Sequence, residues 1–259
     1  MILSQINLCS DVLMTRCSVN VMLPQRKPAD PHDNFHSPFR VLYLLHGYSD
    51  DQTAWQRWTS IERYAEGLNL AVVMPSAQNS FYTDMAHGGK FFTFLTEELP
   101  ILLHELFPLS SARTDTFVAG LSMGGYGAFK MALSRPDRYA AAASLSGAVD
   151  IAEVIKRNNQ PDNPAWLEQM HNIFGDLSKV PGGPHDLFNL AKKVSLSGNK
   201  PRLFQYCGSD DFLYQDNLRL RDFIGPLGFD YTYEETPGGH TWDHWDRTIQ
   251  RVLDWLALQ

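Results

Sequence analysis

The chain has 259 residues, 29 acidic against 22 basic side chains, a formal net charge of -7 and 44% hydrophobic residues, with 6 Trp, 10 Tyr and 15 Phe. That length and apolar share exclude a disordered chain and suit one large α/β core, so a single domain spanning 1–259 is expected. The acidic balance, without a Lys/Arg-rich run, argues against nucleic acid as a partner, and no apolar stretch is long enough to span a membrane.

The opening stretch, MILSQINLCSDVLMTRCSVNVMLP, has no early positive charge and no uninterrupted apolar core. It therefore does not read as an export or lipidation signal, and a cytoplasmic address is expected. Cys9, Cys17 and Cys207 stand at unrelated spacings, which fits reduced thiols, each acting as a small buried hydrophobe.

In chain order, extended segments are predicted over Ser4 to Cys9 and Arg16 to Leu23, followed by a Pro-, Asp- and His-rich surface loop from Pro24 to Pro38. Then RVLYLLHG, NLAVVMPS, DTFVAG, YAAAASLSG and PRLFQYCG follow as short apolar runs closed by Gly or Pro-Ser. Such runs are the pattern of strands buried on both faces, hence of a parallel sheet. Helical spacing lies between them at Thr53 to Glu66, Phe91 to Phe107 and Met123 to Ser134, the last stopped by Arg135-Pro136. The stretch from about 148 to 193, with NNQPDNPAW and VPGGPHD, interrupts the alternation and is expected to form a small helical cap over the strand ends. A helix from Phe212 to about Ile224, a strand from Phe229 to Glu235, the loop TPGGH and a helix from Asp243 to Leu258 complete the reading. The alternation implies a mostly parallel central sheet with helices on both faces and ligands outside the carboxyl ends of the strands.

One pentapeptide at such an end carries chemistry. GLSMG places Ser122 between a predicted buried strand and a predicted helix, the setting of a nucleophile elbow, where bulk at Gly120 or Gly124 would clash. The helix start offers free N–H groups, and the Met123 amide would lie beside an attacked carbonyl. A serine hydroxyl needs a base. Of nine histidines, His32 and His36 fall in the early loop, His104 in a helix, and His171 and His185 in the cap. His46 precedes the elbow, where it is better suited to holding a loop. His240, in ETPGGHTWDHW, follows the last strand on a glycine-rich turn and is the candidate base, with His244 one helical turn on as a packing residue. The His240/His244 and His32/His36 spacings could suggest a metal, but no intervening Glu or third ligand accompanies them, so neither metal nor cofactor is expected. The orienting carboxylate should follow the strand before that histidine, where GSDD supplies Asp210 and Asp211; the distance from Gly208 favours Asp211, with Asp210 as the alternative. A second backbone donor is expected from the LLHGYSDD turn, where Gly47 allows close approach and the Tyr48 N–H would point at the substrate. Gly47, Phe81, Tyr82, Trp166 and Trp242 are candidates to line the substrate pocket.

These motifs, LYLLHG, VVMPS, FYTD, GLSMGGYGAFKMAL, SLSGA, CGSDDFLY and GGHTWDHW, in this order, resemble the esterase D-type group of α/β-hydrolases, nearest the bacterial tributyrin esterases. The resemblance runs from about Val41 to Leu256 and extends in fold to S-formylglutathione hydrolases, feruloyl esterases and mycolyltransferases. It implies an α/β-hydrolase fold and a serine carboxylesterase of short acyl esters, a small-molecule substrate, with Ser122 as nucleophile, Asp211 as acid and His240 as base. Rival expectations are a thioesterase or carbohydrate acetyl or feruloyl esterase on the same fold, and a non-catalytic binding module; a homo-oligomer is left open.

Overall fold

The computed structural model describes residues 1–25, 37–159 and 163–256; His32 and His36 lie outside the described residues. Eight strands form one sheet: β1 (Ile2–Ser10), β2 (Thr15–Leu23), β3 (Arg40–Leu45), β4 (Leu70–Pro75), β5 (Thr116–Leu121), β6 (Ala141–Leu145), β7 (Arg202–Gly208) and β8 (Tyr231–Thr236). Their spatial order is β1-β2-β4-β3-β5-β6-β7-β8. The hairpin β1–β2 and the β2–β4 pair are antiparallel, and every pair from β4 through β8 is parallel. The chain thus has the α/β-hydrolase fold. Strands β3 to β7 are buried along nearly their whole length, which is why they read as continuous apolar runs rather than alternating ones.

Helices α1 (Ala54–Trp58) and α2 (Ile61–Ala65) follow β3, and α3 (Phe91–Thr93) continues through a π-helical turn, Phe94–Glu98, into α4 (Leu99–Leu106). Then come α5 (Met123–Ser134), α6 (Ile151–Asn158), α7 (Pro164–Phe174), α8 (Leu187–Ser195), α9 (Tyr214–Ile224) and α10 (Trp242–Trp255). One sheet face packs on Phe94, Leu99, Leu103, α5, α8 and α9; the other on Trp55, Ile61 and the apolar side of α10. The expected single helix from Thr53 to Glu66 is broken in two: Thr59 turns extended, and its hydroxyl bonds the Trp55 carbonyl and accepts the Ile61 N–H at 3.2 Å. The helical stretch predicted as a cap divides as well: α8 packs against α5 and α9 as the crossover to β7, leaving α6 and α7 near the strand ends. Of the cysteines only Cys207 is buried; Cys9 is exposed because β1 is the edge strand and one of its faces looks outward.

Helix α5 is buried on every side from Met123 to Leu133, including Lys130, which is 4% exposed. Its Nζ donates to His185 Nδ1 at 3.1 Å and lies 5.5 Å from the Phe92 ring and 5.8 Å from the Tyr126 ring. No carboxylate pairs with it among the described residues. Burial, partly offset by Asp84, pushes the ammonium down to about 7, and burial with the nearby Lys130 pushes His185 down to about 4. Between the depressed lysine value and the ordinary one of 10.5 the Lys130 side chain is protonated mainly in the unfolded chain, so the unfolded chain binds the extra proton and stability rises with pH. We expect the unfolding free energy to climb as pH rises from about 7 toward 10.5, and Lys130→Met to remove that climb while adding roughly 2–4 kcal/mol at neutral pH. Urea denaturation at a series of pH values reads both; identical pH profiles for parent and variant would exclude the depressed ammonium.

Candidate active site

Ser122 sits between β5 and α5 with φ 53° and ψ -118°, a backbone region that a side chain adopts only under constraint. The constraint is close packing: a Cβ on Gly120 would lie 2.4 Å from the Gly124 carbonyl oxygen, and one on Gly124 would lie 2.5 Å from that of Leu45. The Ser122 N–H donates to Leu145 O at 2.9 Å, and its carbonyl accepts from Tyr126 N–H and Ala148 N–H, each at 3.1 Å. The serine is therefore fixed by backbone on three sides.

Ser122 Oγ lies 3.0 Å from His240 Nε2, and His240 Nδ1 lies 2.8 Å from Asp211 Oδ2. The geometry suits a hydroxyl donating to Nε2 and an Nδ1–H donating to the carboxylate. The Asp211 side chain is wholly buried while that of His240 is 18% exposed, and the other Asp211 oxygen accepts the Leu213 N–H at 2.9 Å. Asp210 is exposed and ties the loop by its backbone N–H to Gly238 O at 2.9 Å; its carboxylate has no part in the chain of hydrogen bonds. Glycine lets the two loops meet: a Cβ on Gly208 would stand 2.2 Å from Gly238 O. His244 turns away, its Nδ1 3.2 Å from the Tyr206 hydroxyl.

The turn after β3 comes next to the serine, a Cβ on Gly47 falling 3.7 Å from Ser122 Cβ. Neither the Tyr48 N–H nor the Met123 N–H has an acceptor among the described residues. The turn is held from behind. His46 accepts the Ala77 N–H on Nε2 at 3.0 Å and donates from Nδ1 to Gly47 O at 2.7 Å, and burial holds it below the ordinary imidazole range, so it stays neutral. Tyr82 O–H donates to His46 O at 2.8 Å, and Asn79 Oδ1 accepts the Ser49 N–H at 2.7 Å.

A cleft of about 250 Å³ opens at Ser122, walled by Tyr48, Phe81, Met123, Ala148, Val154, Trp166, Phe212 and Leu213, with Asn158 and Asn163 at its edge. Of the pocket candidates, Phe81 and Trp166 line it. Tyr82 does not: it is fully buried beneath the turn after β3, with its ring against Gly127. Trp242 does not either, because it packs among Trp55, Trp58 and Trp245 on the other sheet face. Gly47 serves the turn rather than the wall. Phe212 was missed as a wall; its ring lies 4.6 Å from that of His240, and its place immediately after Asp211 was the available signal. Among the described residues no three His, Cys, Asp or Glu side chains gather as a metal site, and no helix is long and apolar enough to cross a membrane.

The chain is similar over its whole length to known serine hydrolases. An acetyl esterase of Caldicellulosiruptor saccharolyticus is 33% identical over 262 residues, covering 99% of this chain and 98% of that protein. The substrate-bound structure of FphF, a fluorophosphonate-binding serine hydrolase of Staphylococcus aureus, superposes with a TM-score of 0.88 at 35% identity, covering 100% of this chain and 98% of that one. The S-formylglutathione hydrolase FrmB of the same species gives 0.84 at 36% identity over 100% and 99% of the two chains. The Esterase family model matches residues 10–181, and with these relatives along its whole length the chain belongs to that family of α/β-hydrolase serine esterases.

Proposed function

We propose that this protein is a cytoplasmic carboxylesterase of short-chain acyl esters, of the esterase D type and akin to tributyrin esterases, with Ser122 as nucleophile, His240 as base and Asp211 as its orienting acid. We read the chain as one domain whose cap consists of α6 and α7. The observation that carries the reading is the unbroken Ser122–His240–Asp211 hydrogen-bond chain at 3.0 and 2.8 Å, opening on an apolar cleft.

His240 accepts the Ser122 proton as Oγ attacks the acyl carbon, and the buried Asp211 holds the imidazole in the tautomer that leaves Nε2 free. The Tyr48 and Met123 amides, aimed from a braced turn and a helix start, stabilise the oxyanion and need no reorganisation to do so. His240 then gives its proton to the leaving alcohol, and water attacks the acyl-enzyme with His240 again as base. The apolar walls and modest cleft volume of about 250 Å³ support a short acyl group. The likeness to a protein named S-formylglutathione hydrolase, at 36% identity, favours a thioester substrate as the second reading, since the same constellation serves a sulfur leaving group.

Ser122→Ala should reduce turnover of p-nitrophenyl acetate by about a million-fold and abolish fluorophosphonate labelling; undiminished turnover refutes the assignment. Asp211→Asn should cost about ten thousand-fold, while Asp210→Asn should stay near the parent rate; the reverse order would exchange their roles. Rates on matched acetyl, butyryl and feruloyl esters and on S-formylglutathione decide the substrate class, the highest kcat/KM being expected on the short alkyl esters.

A further inference from the structure

Tyr48 is clamped twice. Its backbone rests on the braced turn described above, and its side chain reaches the opposite wall, where Tyr48 O–H donates to Gln169 Oε1 of α7. The Tyr48 ring stands 5.7 Å from Trp166 and 6.1 Å from Phe81, and Phe81 stands 6.5 Å from Trp166. Trp166 and Gln169 are three residues apart and so share a helix face. The far end of α7 is fastened to the loop after β4, with Ala86 N–H donating to Ile173 O at 3.0 Å and His87 N–H to Asn172 O at 2.8 Å. The near end begins at exposed residues, Asn163 to Ala165. Helix α7 is thus anchored at its carboxyl end, and Tyr48 ties down the half that carries a wall of the cleft.

We propose that Gln169 is a positioning residue: through the Tyr48 hydroxyl it couples the seat of α7 to the Tyr48 amide, so that acyl-chain length is discriminated in turnover. This rests on reading Ser122 as nucleophile and the Tyr48 N–H as oxyanion donor. An acyl group that fits below Trp166 leaves the Tyr48–Gln169 bond closed. A longer one pushes Trp166 outward, carries Gln169 with it on the same helix face, and releases the ring that steadies the amide. An oxyanion hydrogen bond is stronger in the transition state than in the ground state, so the loss falls on kcat rather than KM.

The test compares Gln169→Leu, which removes the acceptor at similar volume, with Gln169→Glu, which keeps one, on p-nitrophenyl esters from acetate to octanoate. Gln169→Leu should lower kcat on acetate about tenfold with KM within about twofold, flatten the decline with chain length, and weaken a trifluoromethyl ketone, a mimic of the oxyanion, in parallel. Gln169→Glu should retain most of the turnover. Tyr48→Phe should give the same loss, and adding it to Gln169→Leu should cost little more; this second variant decides the matter if Gln169→Leu fails to fold. An unchanged kcat on acetate, or a loss confined to KM with ketone affinity intact, overturns the proposal. Failure of the underlying reading shows elsewhere, as a parent protein whose Ser122 takes no fluorophosphonate label.

Discussion

The site depends on one contact, the approach of α5 to β3 and β5 that leaves no room for side chains at Gly120 and Gly124. Only at that distance does the chain leave β5 at Ser122 with φ 53° and enter α5 at the next residue, Met123. Such a backbone costs on the order of 1–3 kcal/mol. The cost is offset by the burial of α5 on all sides and by the three backbone hydrogen bonds that fix Ser122, so the elbow cannot relax without opening the core.

The same constraint recurs from strand to strand. Apart from Met14, the described non-glycine residues with positive φ are Ser49, Gln78, Phe81, Tyr82, Ser122 and Ser146. They follow β3, β4, β5 and β6 in turn, all at the carboxyl rim. Strain gathered in consecutive loops and braced by buried bonds, such as those of His46 to Ala77 and Gly47, is what the proposed oxyanion site requires: amides held in place before charge develops. A flexible rim would have to be ordered at each turnover.

Much of this was legible in the residues because the informative signals were local. Buried strands, a Gly-Ser-Gly turn between strand and helix, and a histidine after the final strand each specify their own geometry. Asp210 and Asp211 are adjacent and chemically alike, and only the turn after Gly208, with the Leu213 N–H on the inner carboxylate, separates them. Tyr82 and Trp242 were misplaced for a different reason. An aromatic residue near a strand end has no periodicity to say which way its ring points, and tertiary packing sent one under the turn and the other to the opposite face. Lys130 gave no signal at all: a lysine inside a glycine- and alanine-rich helix reads as its solvent face, and only the burial of α5 on every side made it a core residue. The Gln169 contact joins residues 121 apart in sequence, a pairing that no local pattern encodes.

The surroundings of His240 suit the role proposed for it, one imidazole serving both halves of a hydrolysis. Its ring is held between Phe212 at 4.6 Å and Trp245 at 4.8 Å, contacts that restrict its orientation without competing for either nitrogen. Asp211 accepts the Nδ1–H hydrogen bond from a wholly buried position, where water does not weaken it. Phe212, by contrast, is 68% exposed, so the imidazole it covers borders solvent, its own side chain being 18% exposed. In the proposed mechanism this exposed edge is where the alcohol would leave and water would enter to meet Nε2. On the proposed assignment, burying the acid and exposing the rim of the base divides the labour: the tautomer is protected from solvent, while the proton that would move in each half-reaction meets it.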